Sequence, residues 1–493
     1  MYFRKEIISP KGLQNIATHT YKAGTYSILD NYLNYWWNYI VEWMPLWLAP
    51  NVITLIGAFF VLSTIPFGLY FSTTSIKTVC QSFTTLGDNG TTNNNVLCHE
   101  EEERSLLPIA NLYIALGVFM HQTLDAIDGK QARRTGSSSP LGQLFDHGCD
   151  ALVACAISWN VCEAMGLSSS REAFLLFTSI LFAFFLAQWD EYHSHQLSTH
   201  VGGIGITEGQ VALMIFHSIA AFLPNTVWST LHEVGTVSST LASIFQILEI
   251  GDTKLSSTGS NEYIFSISIG QFLTYNAILI IGFIAVFLVY RVIFQLQHPE
   301  SIKHLVGPLI VLFTGLFFII EPFRSLFLTL SNIGDKDSVR TTVADTHTEL
   351  LFLLYSLNIT YMTTQVIVCS MTQEIFPFWQ IPAFLFPILL YIAYTPSLQI
   401  YTYYSLFIYL VFIITVYIRY VYTSMNQITT RLGIRAFIIP SKVSKSTTSS
   451  MVTGQPTSEN PISDSTTKGI SSSSTKTKNQ RKSSSTPSKR KSN

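Results

Sequence analysis

Ten hydrophobic runs dominate this sequence and constrain what it can fold into. A helix needs roughly 20 mostly apolar residues to cross the hydrocarbon core of a bilayer, and each run approaches that length. Charged residues make up only 12% of the 493 residues, whereas a soluble globular domain usually carries about 25%. We therefore predict an all-α integral membrane protein with about ten transmembrane helices. The predicted spans lie near 51–71, 107–124, 143–164, 172–189, 208–224, 264–290, 303–330, 349–371, 376–396 and 399–421.

The segment before the first span is strongly aromatic. Residues 33–49 are rich in Trp and Tyr, whose amphipathic side chains favour the headgroup level of a membrane. This composition predicts an N-terminal interfacial amphipathic helix that leads into the first span. Residues 1–30 lack a continuous apolar core and a small-residue cleavage site, so they do not predict a cleaved signal peptide.

Composition divides the chain into four parts. We predict an N-terminal segment with the interfacial helix at 1–50, transmembrane helices at 51–225, further transmembrane helices at 226–430, and a tail at 431–493. The tail is basic and rich in Ser and Thr, with few large apolar residues up to Ile470 and none after it. It cannot bury enough surface to fold alone and is predicted to be disordered.

The distribution of basic residues predicts the orientation. An even number of spans places both termini on one side, and a basic tail favours the cytoplasmic side and anionic lipids. The loop with Lys130, Arg133 and Arg134 is then cytoplasmic, and the polar loop 72–106 is lumenal.

The loop 72–106 contains Cys80, Cys98 and a glycosylation acceptor sequence at Asn89. A lumenal position permits a disulfide between the two cysteines. Two free thiols in an unmodified loop are the alternative.

Residues 125–150 contain the motif that carries the chemistry, DAIDGKQARRTGSSSPLGQLFDHGCD. Asp125 and Asp128 share one helix face, and Asp146 and Asp150 share a face of the next helix. An ionised carboxylate in or beside a bilayer costs at least a few kcal/mol, and several together repel one another, so the cluster requires cations. Hard oxygen ligands suit magnesium, manganese or calcium rather than zinc. Magnesium usually binds carboxylates together with substrate phosphates, so the motif indicates a substrate such as a diphosphate.

The residues between the two aspartate pairs also suit a phosphate ligand. Gly129 and Gly142 let the backbone approach a ligand closely, and Arg133 offers a planar fork of donors. Pro140 is typical of the first position of a helix.

Other interpretations of the four aspartates are open at this point. They could pair with Lys130, Arg133 and Arg134 and only hold the helices together, but three bases on one loop do not explain two spaced pairs of acids. They could line the ion path of a cation-coupled membrane transporter, but a transporter would scatter acids among several spans. A catalytically inactive scaffold is a third possibility.

The spacing D-x2-D-G-x2-A-R-x8-G-x3-D-x3-D resembles the signature of the CDP-alcohol phosphotransferase class-I family. The context of these residues, and the segment 44–54, resemble the choline/ethanolaminephosphotransferase branch most closely. The resemblance is strong over about 35–210 and rests mostly on hydropathy over 210–430. The matching positions are Asp125, Asp128, Gly129, Ala132, Arg133, Gly142, Asp146 and Asp150.

This resemblance implies the last step of the Kennedy pathway. Phosphocholine or phosphoethanolamine would pass from CDP-choline or CDP-ethanolamine to diacylglycerol, giving phosphatidylcholine or phosphatidylethanolamine and CMP. Another CDP-alcohol phosphotransferase, such as a phosphatidylinositol synthase, is the alternative, although those relatives are usually shorter. The resemblance also implies that the helices at 51–225 are catalytic and that those at 226–430 provide lipid access and dimer contacts. It further implies a homodimer among membrane lipids of the endoplasmic reticulum or Golgi, with the active site facing the cytosol. Nucleic acid is not an expected partner.

The resemblance also implies roles for individual residues. Two magnesium ions, with manganese as an alternative, would be held by the four aspartates. The nucleotide would be contacted by Asn51, Gly129, Arg133 and Gly142.

The lipid hydroxyl needs a general base, and His147 is the candidate because histidine titrates near neutral pH. Asp150 is the competing candidate. In the family pattern a glutamate often lies four residues before this histidine, where this chain has Gln143. An amide cannot supply the charge, so Asp150 or water could share the task.

A second group of acids and histidines follows the fourth predicted span. Its position in a loop predicts solvated interfacial residues rather than a metal site. Glu208, farther on, is predicted to cap the helix of the fifth span. The loop group consists of Asp190, Glu191, His193, His195 and His200.

Overall fold

The computed structural model describes most of the chain up to residue 439. Most of the predicted tail, Asn89 and residues 320–330 of the predicted span 303–330 lie outside the described residues. These residues are 6–19, 27–67, 77–86, 92–101, 107–167, 170–196, 200–201, 204–223, 226–248, 250–255, 262–319, 348–394 and 398–439.

Helices account for most of the described residues, which confirms the helical character of the fold. Arg291–Gln295 forms a π-helical turn directly after the helix Ile269–Tyr290, and Pro299–Leu305 and Gln399–Tyr401 form 3₁₀ turns. The α-helices are α1 (Pro10–Thr18), α2 (Ile28–Trp43), α3 (Pro50–Leu62), α4 (Leu107–Thr135), α5 (Pro140–Ala164), α6 (Arg171–Ser194), α7 (Ile206–Ala220), α8 (Thr226–Ser229), α9 (Ser239–Leu248), α10 (Ile269–Tyr290), α11 (Val306–Ile319), α12 (Thr348–Thr372), α13 (Ile381–Tyr394) and α14 (Thr402–Leu432).

Small antiparallel sheets make the all-α prediction too narrow. The first sheet aligns the backbone of Cys80 with that of Cys98, so the disulfide between them stays a prediction. In the third sheet, Glu262–Ser268 lies between Leu231–Ser238 and Asp252–Leu255. Glu262–Ser268 overlaps the predicted span 264–290, whose helix begins only at Ile269, and the other strands lie between predicted spans. Together the strands are rich in Thr and Val, which favour extended chain. The strands are β1 (Lys77–Leu86), β2 (Thr92–Glu101), β3 (His200–Val201), β4 (Ile204–Gly205), β5 (Leu231–Ser238), β6 (Asp252–Leu255) and β7 (Glu262–Ser268).

Five helical segments within the described residues are long and apolar enough to cross a bilayer. They are Pro50–Phe67, Arg171–Ser194, Ile269–Gln295, Glu349–Thr372 and Thr402–Leu432. The other predicted spans fall on helices α4, α5, α7, α11 and α13. The total of ten spans stays a prediction.

Helix α2 occupies most of the segment predicted to be interfacial. It buries Trp37 and Val41 and leaves Tyr35, Tyr39 and Trp43 exposed. The position of this helix at the membrane surface stays a prediction.

Hydrogen bonds join the start of α2 to the start of α7. Ser27 and Asp30 form a capping box at α2, and the Thr207 hydroxyl donates to Asp30 Oδ1 over 2.5 Å. Glu208 accepts from Leu29 N over 2.9 Å and from Gly205 N over 2.8 Å. The second of these bonds confirms the predicted cap of α7.

The main hydrophobic core joins helices from both sides of the predicted boundary at residue 225. Phe174 and Phe177 of α6 pack edge-on or tilted against Phe352 and Tyr355 of α12. Such pairs add about 0.5–1.5 kcal/mol beyond their buried area. The core therefore holds α6, which carries residues beside the site described below, against α12.

Helices α3 and α4 approach each other closely at two glycines. A Cβ atom at Gly57 would lie 3.1 Å from Leu124 Cβ, and one at Gly117 would lie 3.1 Å from Phe60 O. Small residues permit such close approach of membrane helices. The contact fixes α3 against the helix that carries Asp125 and Asp128.

Gly117→Val is expected to lower the free energy of unfolding by about 1–3 kcal/mol, because the added methyl groups must push α3 and α4 apart. Thermal unfolding of the purified protein in detergent measures the loss. Gly282→Val in α10 is the matched control, because a Cβ there meets no atom within 4 Å. Equal melting temperatures for the two variants would contradict the close contact.

Candidate active site

The candidate site lies where α4 ends and α5 begins. Gly136, which follows α4, has φ 66°, a left-handed conformation that favours glycine. Ser139 caps α5 by accepting from Gly142 N over 3.2 Å, and Pro140 takes the first helical position as predicted. This short connection places the end of α4 beside the start of α5.

The structure brings the two predicted aspartate pairs together. Carboxylate oxygens of Asp125, Asp128 and Asp146 lie within 4.8 Å of one another. Asp125 also forms a second such group with Asp150 and His121. Asp125 thus belongs to both groups and lies between the two halves of the site.

The carboxylates fit a divalent cation. Asp125 Oδ1 and Asp146 Oδ1 are buried and have no hydrogen-bond partner among the described residues. A buried polar atom without a partner is costly, and neighbouring carboxylates repel one another. A cation bound to these hard oxygens would remove both costs.

Two further residues support the aspartates. The Thr54 hydroxyl of α3 donates to Asp128 Oδ2, and His121 Nε2 lies 3.6 Å from Asp150 Oδ1. Neither residue is among those predicted from the sequence. A weak signal existed, because Thr54 lies one helical turn after Asn51 and His121 lies one turn before Asp125.

Thr54→Val is expected to weaken divalent-cation binding by roughly 10–100-fold, because the hydroxyl holds a candidate ligand in place. The stabilisation of the purified protein by increasing magnesium or manganese concentration measures the change. Thr415→Val is the control, since its hydroxyl donates to Val411 O of its own helix α14. Identical stabilisation of the Thr54 variant and the wild type by the cation would contradict a role of the Thr54 hydroxyl in cation binding.

Two basic residues of the motif, Lys130 and Arg134, contact α2 or the residue that follows it. Lys130 Nζ donates to Asn34 Oδ1 over 2.5 Å and to Asn38 Oδ1 over 2.9 Å, and Arg134 donates to Met44 O over 2.7 Å. Burial lowers the pKa of Lys130, and the charge of Arg133 lowers it further. These contacts disfavour the interpretation in which the bases neutralise the four aspartates.

A cavity of about 270 Å³ opens beside the aspartates. Asn51, Gly129, Arg133 and Gly142, the predicted nucleotide contacts, all line it. A Cβ at Gly142 would lie 3.6 Å from Asn51 Oδ1, so the two residues are close neighbours. The motif aspartates that line the same cavity are Asp128 and Asp146.

The segment after α14 forms another wall of this cavity. Arg435, Ala436 and Ile438 line it, and Ala436 O accepts from Asn51 Nδ2 over 2.8 Å. No local pattern marks these residues, because tertiary packing alone brings them to Asn51, 385 positions away. This part of the cavity lining is therefore not predictable from the sequence.

His147 lines the cavity and is only 4% exposed. Its Nδ1 lies 3.7 Å from Glu191 Oε2 of α6. Gln143 Nε2 donates to Glu191 Oε1 over 3.0 Å. The histidine, the amide and the acid therefore form one group.

The prediction that Asp190 and Glu191 are solvated is wrong. They are 0% and 6% exposed, and Asp190 Oδ2 accepts from Arg291 Nη1 over 2.9 Å. Helix α6 continues to Ser194, beyond the predicted end of the span at 189. This extension carries both acids into the interior.

Fold and site together define a helical membrane protein with a group of acids that could hold a divalent cation beside a cavity. Residues 102–248 match the family model described as CDP-alcohol phosphatidyltransferase. This part of the chain is therefore similar to CDP-alcohol phosphatidyltransferases, and the matched residues include the whole motif at 125–150. This confirms the family resemblance drawn from the motif.

The chain is also similar to individual relatives. It is 36% identical over 226 residues to cholinephosphotransferase 1 of Homo sapiens, covering 45% of this chain and 48% of that protein. It is 30% identical over 269 residues to cholinephosphotransferase 1 of Xenopus laevis, covering 54% and 59%. An uncharacterized CDP-alcohol phosphatidyltransferase class-I family protein 2 of Dictyostelium discoideum is 37% identical over 246 residues, covering 49% and 53%. The matches span about half the length of these relatives.

Proposed function

We propose that this protein transfers phosphocholine from CDP-choline to diacylglycerol, giving phosphatidylcholine and CMP. Phosphoethanolamine from CDP-ethanolamine is the second proposed donor, since the same diphosphate chemistry applies. One observation carries the proposal: four aspartates meet beside a cavity that all the expected nucleotide contacts line. The names of the relatives support phosphocholine as the transferred group.

The aspartates would hold two magnesium ions, with manganese as the alternative. Bound ions would offset the charge of the diphosphate and would stabilise the attacking and leaving oxygens. The ligands would be Asp125, Asp128, Asp146 and Asp150.

The remaining cavity residues would bind and orient the CDP-alcohol. Arg133 is exposed at the rim, where its guanidinium would donate to phosphate. Asn51 would bind the nucleotide. Gly129 and Gly142 would leave room for the diphosphate against the backbone.

His147 would accept the proton of the diacylglycerol hydroxyl as general base. The lipid oxygen then bonds to the phosphorus that carries the alcohol. The bond from that phosphorus to the bridging oxygen breaks, and CMP leaves with the bridging oxygen. Asp150 is the alternative base.

The apolar helices support a multi-pass membrane protein. We place it in the endoplasmic reticulum or Golgi membrane, with the cavity facing the cytosol and with the chain as a homodimer. Diacylglycerol would enter from the surrounding membrane lipids.

Microsomes that contain the protein, assayed with labelled CDP-choline, CDP-ethanolamine and diacylglycerol, test the function. Labelled phosphatidylcholine, formed together with CMP, is the expected product. A parallel assay with CDP-diacylglycerol and inositol tests the phosphatidylinositol synthase alternative. Product only in that assay would overturn the proposal, and so would cation flux in reconstituted vesicles without any transfer.

A further inference from the structure

Glu191 is a buried acid that the reaction described above does not use. It lies near the end of α6, and its side chain is 8% exposed. One oxygen, Oε1, accepts from Gln143 Nε2, and the other, Oε2, lies 3.7 Å from His147 Nδ1. The carboxylate thus faces the imidazole from a neighbouring helix.

Gln143 holds this carboxylate in a fixed orientation. It lies one helical turn before His147 on α5, so both side chains are on the same face. Its Oε1 accepts from His19 Nε2 over 2.8 Å while its Nε2 donates to Glu191. The amide therefore connects the end of α1 to the acid on α6, and Glu191 Oε2 is left on the His147 side.

We propose that Glu191 is the positioning residue for His147 in phosphotransfer, with Gln143 as its anchor. A carboxylate on the Nδ1 side favours the tautomer that carries the proton on Nδ1. The lone pair is then on Nε2, the nitrogen that must accept the proton of the lipid hydroxyl. The family pattern often has a glutamate at position 143, and in this chain Glu191 of α6 provides the carboxylate instead. This inference rests on the proposed function of His147 as the base.

Asp190, the acid next to Glu191 in the chain, has the contacts expected of a purely structural residue. Asp190 is fully buried and pairs with Arg291 over 2.9 Å, so its charge is balanced by a base on another helix. Glu191 is instead held by a neutral amide and faces an imidazole. This difference in partners favours an orienting role for Glu191.

Moving the carboxylate from position 191 to position 143 distinguishes a role in orienting His147 from a purely structural role of Glu191. Glu191→Gln is expected to lower kcat by roughly 10–100-fold with little change in the KM for either substrate, since Glu191 orients the base without contacting substrate. The double variant Gln143→Glu with Glu191→Gln returns a carboxylate to the same side of His147. It is expected to recover most of the lost kcat.

The matched control is Glu172→Gln, an acid-to-amide change at the other end of α6. Glu172 is buried and accepts from Tyr275 Oη over 3.1 Å. Its position is roughly 28 Å from Glu191 along the helix axis. The kcat of the Glu172→Gln variant is expected to match that of the wild type.

The outcomes separate this inference from the proposed function. A wild type that transfers neither phosphocholine nor phosphoethanolamine contradicts the function itself. An active wild type, with Glu191→Gln within about twofold of its kcat, overturns only the positioning role. A folded double variant that stays as slow as Glu191→Gln also overturns it. Where Glu191→Gln does not fold, Glu191→Asp replaces it, and wild-type kcat in that shortened variant counts against the proposal.

Discussion

Asp146→Asn is expected to lower the rate of phosphotransfer by roughly 10³-fold, because it removes charge that holds the divalent cations on the diphosphate. Asp146 belongs to the carboxylate group with Asp125 and Asp128, so an amide there weakens the whole group. A second, opposite effect is expected without divalent cations. The variant should melt at a higher temperature than the wild type, since one of several repelling carboxylates is gone. Transfer assays and thermal unfolding in a chelator measure the two effects.

Glu163→Gln is the control for this change. Glu163 is a buried acid on the same helix, roughly 25 Å from Asp146 along the axis. The control should transfer phosphocholine at the wild-type rate. Full activity in Asp146→Asn would rule out the role of this carboxylate in binding the cations.

His147→Gln is expected to lower kcat by roughly 10²–10⁴-fold, because the lipid hydroxyl loses its general base. The KM for CDP-choline should change little, since the nucleotide contacts lie on other residues. His304→Gln is the control: it replaces another buried histidine, which lies outside the cavity. Near-normal turnover in His147→Gln would move the base to Asp150, and Asp150→Asn should then cause the larger loss.

The helices could be predicted from hydropathy, and the sheets could not. Runs of apolar residues mark α3, α6, α10, α12 and α14, because a bilayer requires them at a fixed minimum length. Most of the strands lie between such runs, where hydropathy says little about short polar segments, and β7 overlaps the start of the run predicted at 264–290. Their extended form depends on pairing between strands rather than on burial in a membrane.

The aspartates of the site could be predicted because their spacing is local. Three- and four-residue intervals place side chains on one helix face wherever the helix lies. The partners of those residues are not local. Arg435 and Glu191 lie at the site only because α14 and α6 pack against α5. The spacing of residues in the sequence does not predict such tertiary contacts.

Glu191 also shows how a span boundary affects the interpretation of a residue. Ending the fourth span at 189 placed the acid in a loop, where a carboxylate is normally solvated. The helix runs on to Ser194, and the acid is buried beside His147. A polar residue just beyond an apolar run can therefore belong to the interior when its helix continues.

The most direct test of the central claim is CMP release by the purified protein in lipid nanodiscs that contain diacylglycerol. With CDP-choline as donor, CMP release should require diacylglycerol, stop in excess EDTA and return when magnesium exceeds the chelator. Phosphatidylcholine should form in equal amount to CMP. Transfer that continues at the same rate in EDTA would contradict the proposal that the four aspartates act through bound divalent cations.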